Sequence, residues 1–487
     1  MSEERLYERG SMIERIVIFG VTGDLTARFL IPALAKLHEA GKLPDEIKIT
    51  GVDRREWENG KNGFEHLILD GLERFAGSVT AESRVRFVEE VLEYRRADVT
   101  DAESVVEALG SLSEPVVAYL ALPPAVYGPT IEALKQANLP EGSRIAIEKP
   151  FGENLKSAEM LNCLLHEFLP EESVFRIDHF LAWQPLPTIM GLRFANGIFE
   201  PLWDRNHIER IEIVWEETLT LEGRAGYYDS AGAFRDVVQN HLLQLLCITA
   251  MEAPIDLHRR NLRDRKIDVL RAIRRLDAEE VQNRTVRARY RAGRIGDRDV
   301  PSYVDEEGVN PERRTETFAQ ITLEIDNLRW AGVPFMLRTG KALAGKRGEI
   351  AVHFKPVPHL PFQKAGDPHP NVLHVQVRPE RVALNVNING PHDPFDLEQV
   401  ELSAGFDPQE FFSTYERIFL DLLEGDTTLF VRDDEAEEAW RVVEPILQAW
   451  EQEHVPLLEY PAGSDGPSLE ALGEDVIRTP APDGGTG

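Results

Sequence analysis

Two short stretches carry residue types that together do chemistry: Arg176-Ile177-Asp178-His179-Phe180 and Arg235-Asp236-Val237-Val238-Gln239-Asn240-His241. Each sets an acid close to a histidine. A neutral imidazole whose far nitrogen is held by a carboxylate accepts a proton near neutral pH, because the carboxylate fixes the tautomer and stabilises the imidazolium that forms. That is equipment for dehydrogenating an alcohol such as a sugar hydroxyl. The competing reading of His241 is a core histidine satisfied by a neighbour, since a leucine-rich helical pattern follows it.

Such a base needs a hydride acceptor, and the first third of the chain reads as a frame for one. Arg15-Ile16-Val17-Ile18-Phe19 is a near-continuous apolar run of strand length, as expected for a strand buried on both faces of a parallel sheet. It ends in Gly20-Val21-Thr22-Gly23-Asp24-Leu25, where a strand-to-helix turn lets backbone approach a pyrophosphate at a helix N-terminus. The spacing lacks the usual third glycine, so an ordinary tight turn stays open. A helix through Leu37 and a second strand at Ile47–Val52, closed by Asp53 and Arg54, complete a βαβ unit. Asp53 suits a ribose 2′-hydroxyl and Arg54 with Arg55 a 2′-phosphate, which leaves NAD and NADP undivided. Helices at 102–110 and 127–137 alternate with strands at 116–121 and 144–148, predicting a doubly wound dinucleotide-binding domain over 14–178. Lys149, after the last of these strands, stands where open α/β sheets bind ligands and can bridge substrate and nicotinamide, although lysines after strands are also common on surfaces. Pro150 invites a cis bond.

The second half changes period. Helical patterns at 185–196 and 231–251 are followed by alternating runs at 208–214, 319–325, 348–354 and 372–377. Alternation at period two predicts an antiparallel sheet with one covered face. The fold class is therefore α/β: a Rossmann domain, then a large α+β catalytic and dimerisation domain over 179–465. Residues 1–13 read as a flexible N-terminus and 466–487 as a disordered acidic tail, too poor in apolar residues to pack.

Composition narrows the class. A net charge of -30 offers no basic face for nucleic acid and slows anionic substrates unless local arginines refocus the field. No apolar run reaches the roughly 18–20 residues that span a bilayer, and no signal-like segment opens the chain, so a cytoplasmic protein without membrane contact is expected. An acid-rich surface whose cations are mostly arginine suggests a salty or hot habitat. The two cysteines, Cys163 and Cys247, fall in apolar helical patterns and read as buried free thiols. Scattered histidines suggest no metal site.

Segments spread over residues 14–460 resemble the glucose-6-phosphate dehydrogenase family. They are the glycine turn, Glu148-Lys149-Pro150-Phe151-Gly152, Arg176 through His179, Leu192-Arg193-Phe194-Ala195-Asn196, Glu222-Gly223-Arg224, Arg235 through Gln244, Gly332-Val333-Pro334-Phe335, Arg338-Thr339-Gly340-Lys341 and Tyr415-Glu416-Arg417. The resemblance implies NAD or NADP as coenzyme, a small sugar as substrate, a homodimer or homotetramer, and C1 oxidation of an aldohexose to a lactone. It implies His241 as base, Asp178 as its orienter and Lys149 as a contact to substrate and coenzyme. Glu217, Asp236 and Lys341 would bind sugar hydroxyls, Lys346 would lie near the sugar's distal end, and His179 and Tyr415 would remain as donors to the C6 group. Gly20, Thr22, Gly23, Asp24, Leu25, Asp53 and Arg54 would hold the coenzyme.

The C6 end departs from the family. Where the family has Tyr-Leu-Gly-Lys-Glu after the Asp-His pair, this chain has Phe180-Leu181-Ala182-Trp183-Gln184, and Phe29 stands where a lysine usually follows the glycine turn. Hydrogen bonds to charged groups contribute about 1.5–3 kcal/mol each, so three unreplaced losses cost on the order of 4–9 kcal/mol of phosphate binding. Phe180 and Trp183 supply apolar area and an indole donor instead, which suits a C6 hydroxyl or sulfonate. The alternatives are an ordinary glucose-6-phosphate dehydrogenase whose phosphate site is rebuilt from arginines such as Arg28, an inactive homologue serving assembly or regulation, and a different sugar oxidoreductase sharing the Glu-Lys-Pro strand end.

Overall fold

The computed structural model describes residues 13–57, 61–182, 185–223, 225–361, 368–377, 380–390, 396–405 and 412–467. Trp183, Gln184 and Arg224, nearly all of the expected N-terminal lead and residues 468–487 of the tail lie outside them. Ile13, assigned by sequence to that lead, is buried in the core. The chain divides into two compact units, the first of residues 1–182, 256–263 and 411–437 and the second of the remainder.

The first unit is built on a six-stranded parallel sheet of β1 (Arg15–Phe19), β2 (Lys48–Asp53), β3 (Leu92–Arg96), β4 (Val116–Leu120), β5 (Arg144–Glu148) and β6 (Val174–Ile177), in the order β3-β2-β1-β4-β5-β6. Helices cover both faces, so the inner strands are apolar throughout, as the sequence predicts. β3 reads Leu-Glu-Tyr-Arg-Arg, and its polarity is tolerated because it lies at the edge. β6 carries Arg176, 2% exposed, whose guanidinium meets Glu171 at 2.9 Å; Glu171 also meets Arg263 at 2.8 Å. Arg263 bonds Thr427 Oγ1 at 2.9 Å, so this buried ion cluster fastens both late chain segments to the sheet. Helix Thr414–Glu424 adds Ile418, Phe419 and Leu422 to the core around Ile16 and Ile18.

The second unit holds a nine-stranded sheet in the order Leu397–Gly405, Glu380–Asn389, Val372–Val377, Arg347–Phe354, Ile208–Glu216, Pro334–Gly340, Phe318–Glu324, Thr285–Arg291, Leu457–Pro461. The expected antiparallel sheet is mixed: Ile208–Glu216 runs parallel to Pro334–Gly340, and Thr285–Arg291 parallel to Leu457–Pro461. These are pairings between strands distant in sequence, which alternation cannot order. The 231–251 pattern resolves into Phe234–Leu242, wound with i→i+5 bonds, and the α-helix Leu243–Ala250. Before it, helix Ala225–Ala233 is broken at Gly232 (φ 69°).

Cys247 is buried as expected, but Cys163 is exposed. Helix Leu155–His166 turns Ala158, Asn162 and Leu165 inward, which leaves Cys163 on the outer face.

Gly20 adopts φ +85°, and a Cβ there would stand 2.2 Å from the Ala121 carbonyl oxygen. The β1 turn thus closes on the end of β4 only with glycine. Gly20→Ala is expected to lower stability by about 1–3 kcal/mol, the usual cost of such backbone strain, and to weaken coenzyme binding. Chemical denaturation and calorimetric titration with NAD check both effects.

Candidate active site

The parallel sheet presents its chemistry at the carboxyl ends of its strands. Gly20 through Leu25 leave β1 and enter the helical segment Thr26–Leu30, and the Thr26 hydroxyl donates to the Gly20 carbonyl at 3.0 Å. The glycine turn lies between β2 and β4, where the strand order reverses and dinucleotides bind. With no side chain at Gly20 or Gly23, the turn fits a pyrophosphate; a nicotinamide dinucleotide held there would supply the hydride acceptor. Asp24 is exposed and pairs with Arg28 at 3.4 Å, while Leu25 packs against the core. Asp53, at the tip of β2, accepts the Thr22 hydroxyl at 2.7 Å, and Arg54 beside it is exposed.

At the end of β5, Lys149 precedes a cis peptide bond to Pro150. The residue before it, Glu148, is buried beneath the site. Its carboxylate accepts the Tyr119 hydroxyl at 2.6 Å and interacts with Tyr415, Lys149 and Asp178. Burial pushes its pKa up to about 7 against the opposing pull of Tyr119 and Lys149. Asp178, 3% exposed, follows β6 and accepts the Phe180 N–H at 3.0 Å, a local turn that fixes its carboxylate. His179 is half-buried, with its ring centroid 5.1 Å from that of Phe180, itself 3% exposed. The Phe29 ring, 43% exposed, lies 5.6 Å from that of Tyr415. Glu148, Lys149, Asp178 and Tyr415 are thus gathered in the first unit, as is the Thr22–Asp53 pair at the coenzyme end.

In the second unit, Glu217 follows strand Ile208–Glu216 and Lys341 follows its parallel neighbour, so pairing of those strands brings the two charges together at 2.7 Å. Lys341 also stands over the Tyr228 ring, 5.1 Å from its centroid. Lys346 is exposed and shares a small cleft with Glu216, Glu217 and Arg347. Asp236 is half-buried within reach of the Tyr227 hydroxyl at 3.5 Å, and His241 is 2% exposed. Both ride on the i→i+5 segment, in which residues five apart stack one above the other, so the extra residue per turn brings Asp236 and His241 toward one side. Its N-terminus is held by buried Glu316, which accepts the Phe234 N–H at 3.0 Å and whose pKa burial raises. Gly232 makes room for that carboxylate, since a Cβ there would stand 2.3 Å from Glu316 Oε1.

Sequence reasoning missed Glu148, Tyr119, Tyr228 and Glu316 as parts of the site. An acid ending the apolar run Arg-Ile-Ala-Ile-Glu was the available signal for Glu148; Tyr119 reaches it only through the pairing of β4 with β5, and Glu316 meets Phe234 across 82 residues of chain. Because the fold favours neutral Glu148, its stabilising contribution is complete below its ordinary value of 4.5 and is lost as pH rises through about 7. Glu148→Gln removes this dependence. Between pH 4.5 and 8 the variant is expected to gain on the order of 3 kcal/mol relative to the parent. Urea unfolding across that range measures the difference, and one constant with pH rejects the assignment.

Comparison with known proteins accounts for both units. Residues 17–185 match the family model "Glucose-6-phosphate dehydrogenase, NAD binding domain" and residues 190–474 match "Glucose-6-phosphate dehydrogenase, C-terminal domain". A glucose-6-phosphate 1-dehydrogenase of Treponema pallidum (strain Nichols) is 39% identical, covering 96% of this chain and 94% of its own. The crystal structure of glucose-6-phosphate 1-dehydrogenase from Mycobacterium avium superposes with a TM-score of 0.81 at 34% identity, over 94% of this chain and 96% of that one. A glucose-6-phosphate dehydrogenase in complex with its substrate glucose-6-phosphate gives 0.84 at 31% identity, over 95% and 98%. A glycine turn at the switch point, an acid after β6 and a histidine helix beside a paired Glu217 and Lys341, matched over almost the whole length, make this chain a member of the glucose-6-phosphate dehydrogenase family.

Proposed function

We propose that the chain oxidises an aldohexopyranose at C1 to the 1,5-lactone with NAD or NADP, and that the sugar's C6 group is a free hydroxyl or a sulfonate rather than a phosphate. His241 takes the C1 hydroxyl proton, Asp178 orients its imidazole, and Lys149 contacts substrate and coenzyme. Glu217, Asp236 and Lys341 bind the sugar hydroxyls, with Lys346 toward the distal end. His179 and Tyr415 serve the C6 group. The same reading carries a cytoplasmic homodimer or homotetramer.

One observation supports the C6 assignment above the rest: Phe29, in place of the family's lysine, packs against Tyr415. An apolar ring there contributes contact area and no countercharge, and Phe180 supplies no hydroxyl. Trp183 lies outside the described residues and keeps its role as an expectation. A second reading has its own support: the Arg28 guanidinium stands 5.4 Å from the Phe29 ring centroid, close enough to bring a cation to the same end of the sugar in an ordinary glucose-6-phosphate dehydrogenase.

Initial rates with glucose, glucose 6-phosphate and 6-sulfoglucose separate the readings. Glucose or the sulfonate is expected to have the highest kcat/KM, and Phe29→Lys is expected to raise that for glucose 6-phosphate tenfold or more. A parent enzyme most efficient on glucose 6-phosphate, with Arg28→Ala removing that preference, establishes the second reading instead. His241→Asn is expected to lower kcat by about 10²–10⁴-fold, the range for a lost general base. No turnover of any of the three sugars by the parent would make the chain an inactive homologue.

A further inference from the structure

The carboxylate at the tip of β2 is committed in a way its sequence position does not reveal. Asp53 Oδ2 accepts the Thr22 hydroxyl at 2.7 Å and the Thr22 N–H at 3.4 Å, while Oδ1 accepts the Arg55 N–H at 3.2 Å. Thr22 belongs to the glycine turn, so the acid is tied to the loop that receives the coenzyme. A carboxylate offers about four acceptor positions, and these three donors leave room for one more, a ribose hydroxyl. The arginines nearby do not neutralise it. Arg55 is drawn onto the Trp57 ring, 4.2 Å from its centroid. Arg96 pairs with Glu56 at 3.2 Å and donates to the Arg54 carbonyl at 3.3 Å, and Arg95 meets Glu93 at 3.4 Å. Arg54 is exposed, acts on Asp98 and forms no ion pair with Asp53 among the described residues.

We infer that the Thr22–Asp53 pair makes the coenzyme site select the dinucleotide with a free 2′-hydroxyl, NAD, over its 2′-phosphorylated counterpart, NADP. A fixed anion accepts a hydrogen bond from the hydroxyl and repels a phosphate at the same place, while the Thr22 hydroxyl and N–H beside it already donate to the carboxylate. Selection arises as much from what the site refuses as from what it binds. Asp53 is the specificity residue, and Thr22 positions it. The inference rests on the family's nicotinamide coenzyme and is independent of the sugar's C6 group.

Calorimetric titration of the full-length protein with NAD and with NADP tests it without any sugar, so its failure and that of the C6 reading are distinguishable. NAD is expected to bind at least tenfold more tightly. Asp53→Ala is expected to narrow the ratio by tenfold or more, chiefly by improving NADP. Asp53→Asn keeps an acceptor for the Thr22 hydroxyl while removing the charge, and is expected to narrow it in the same direction if the alanine variant does not fold. Thr22→Val, which frees the carboxylate, is expected to loosen selection while preserving the net charge. Equal or tighter NADP binding by the parent, or an equal change for both coenzymes in the Asp53 variants, overturns the inference.

Discussion

A parallel sheet covered by helices on both faces holds polar groups along its strands only where each finds a partner, because a buried donor or acceptor left without one costs about 1–3 kcal/mol. Chemistry is therefore confined to strand ends, and in the first unit it collects at the carboxyl ends of four strands. The glycine turn leaves β1, Asp53 ends β2, Glu148 and Lys149 end β5, and Asp178 follows β6. The same constraint explains Glu148. Its carboxyl lies on the buried side of that boundary, tolerated because Tyr119 donates to it and because it takes up a proton readily, with a pKa near 7. It ties the strand end beneath Lys149 to Tyr415, which arrives from late in the chain.

The second unit solves a different problem. A mixed sheet aligns residues from remote segments, and parallel pairing of Ile208–Glu216 with Pro334–Gly340 places Glu217 and Lys341 as an ion pair at their ends. The helix bearing Asp236 and His241 packs on these two strands. Its i→i+5 winding and the Glu316 anchor at its start set which residues face one another. In the proposed function this pair of opposite charges, 2.7 Å apart, would exchange its mutual hydrogen bond for sugar hydroxyls without leaving either charge unpartnered.

The acidic composition acquires a structural sense in the arginines. Arg176 and Arg263 share the half-buried Glu171, Arg193 bonds Glu200 and main-chain carbonyls, and Arg329 pairs with Glu200 and Glu252. Cations spent on internal ion pairs do little to refocus a field of net charge -30 toward a dianion. In the proposed function, a phenylalanine at position 29 in place of an ammonium would therefore weigh more here than in a neutral protein.

Sequence alone determined the elements whose patterns are local. Continuous apolar runs marked the inner strands of the first sheet, the glycines marked the strand-to-helix turn after β1, and the Glu-Lys-Pro and Asp-His stretches fell at the ends of β5 and β6. Burial on both faces, a tight turn and a strand end are each conditions a few consecutive residues must satisfy. The polar edge strand Leu92–Arg96, the exposure of Cys163, the two parallel pairings in the second sheet and the partners of Glu148, Asp53, Glu217 and Phe234 N–H were decided only by tertiary structure. Which distant side chain satisfies a buried charge depends on strand register and on helix winding, and neither is written within the span of one element.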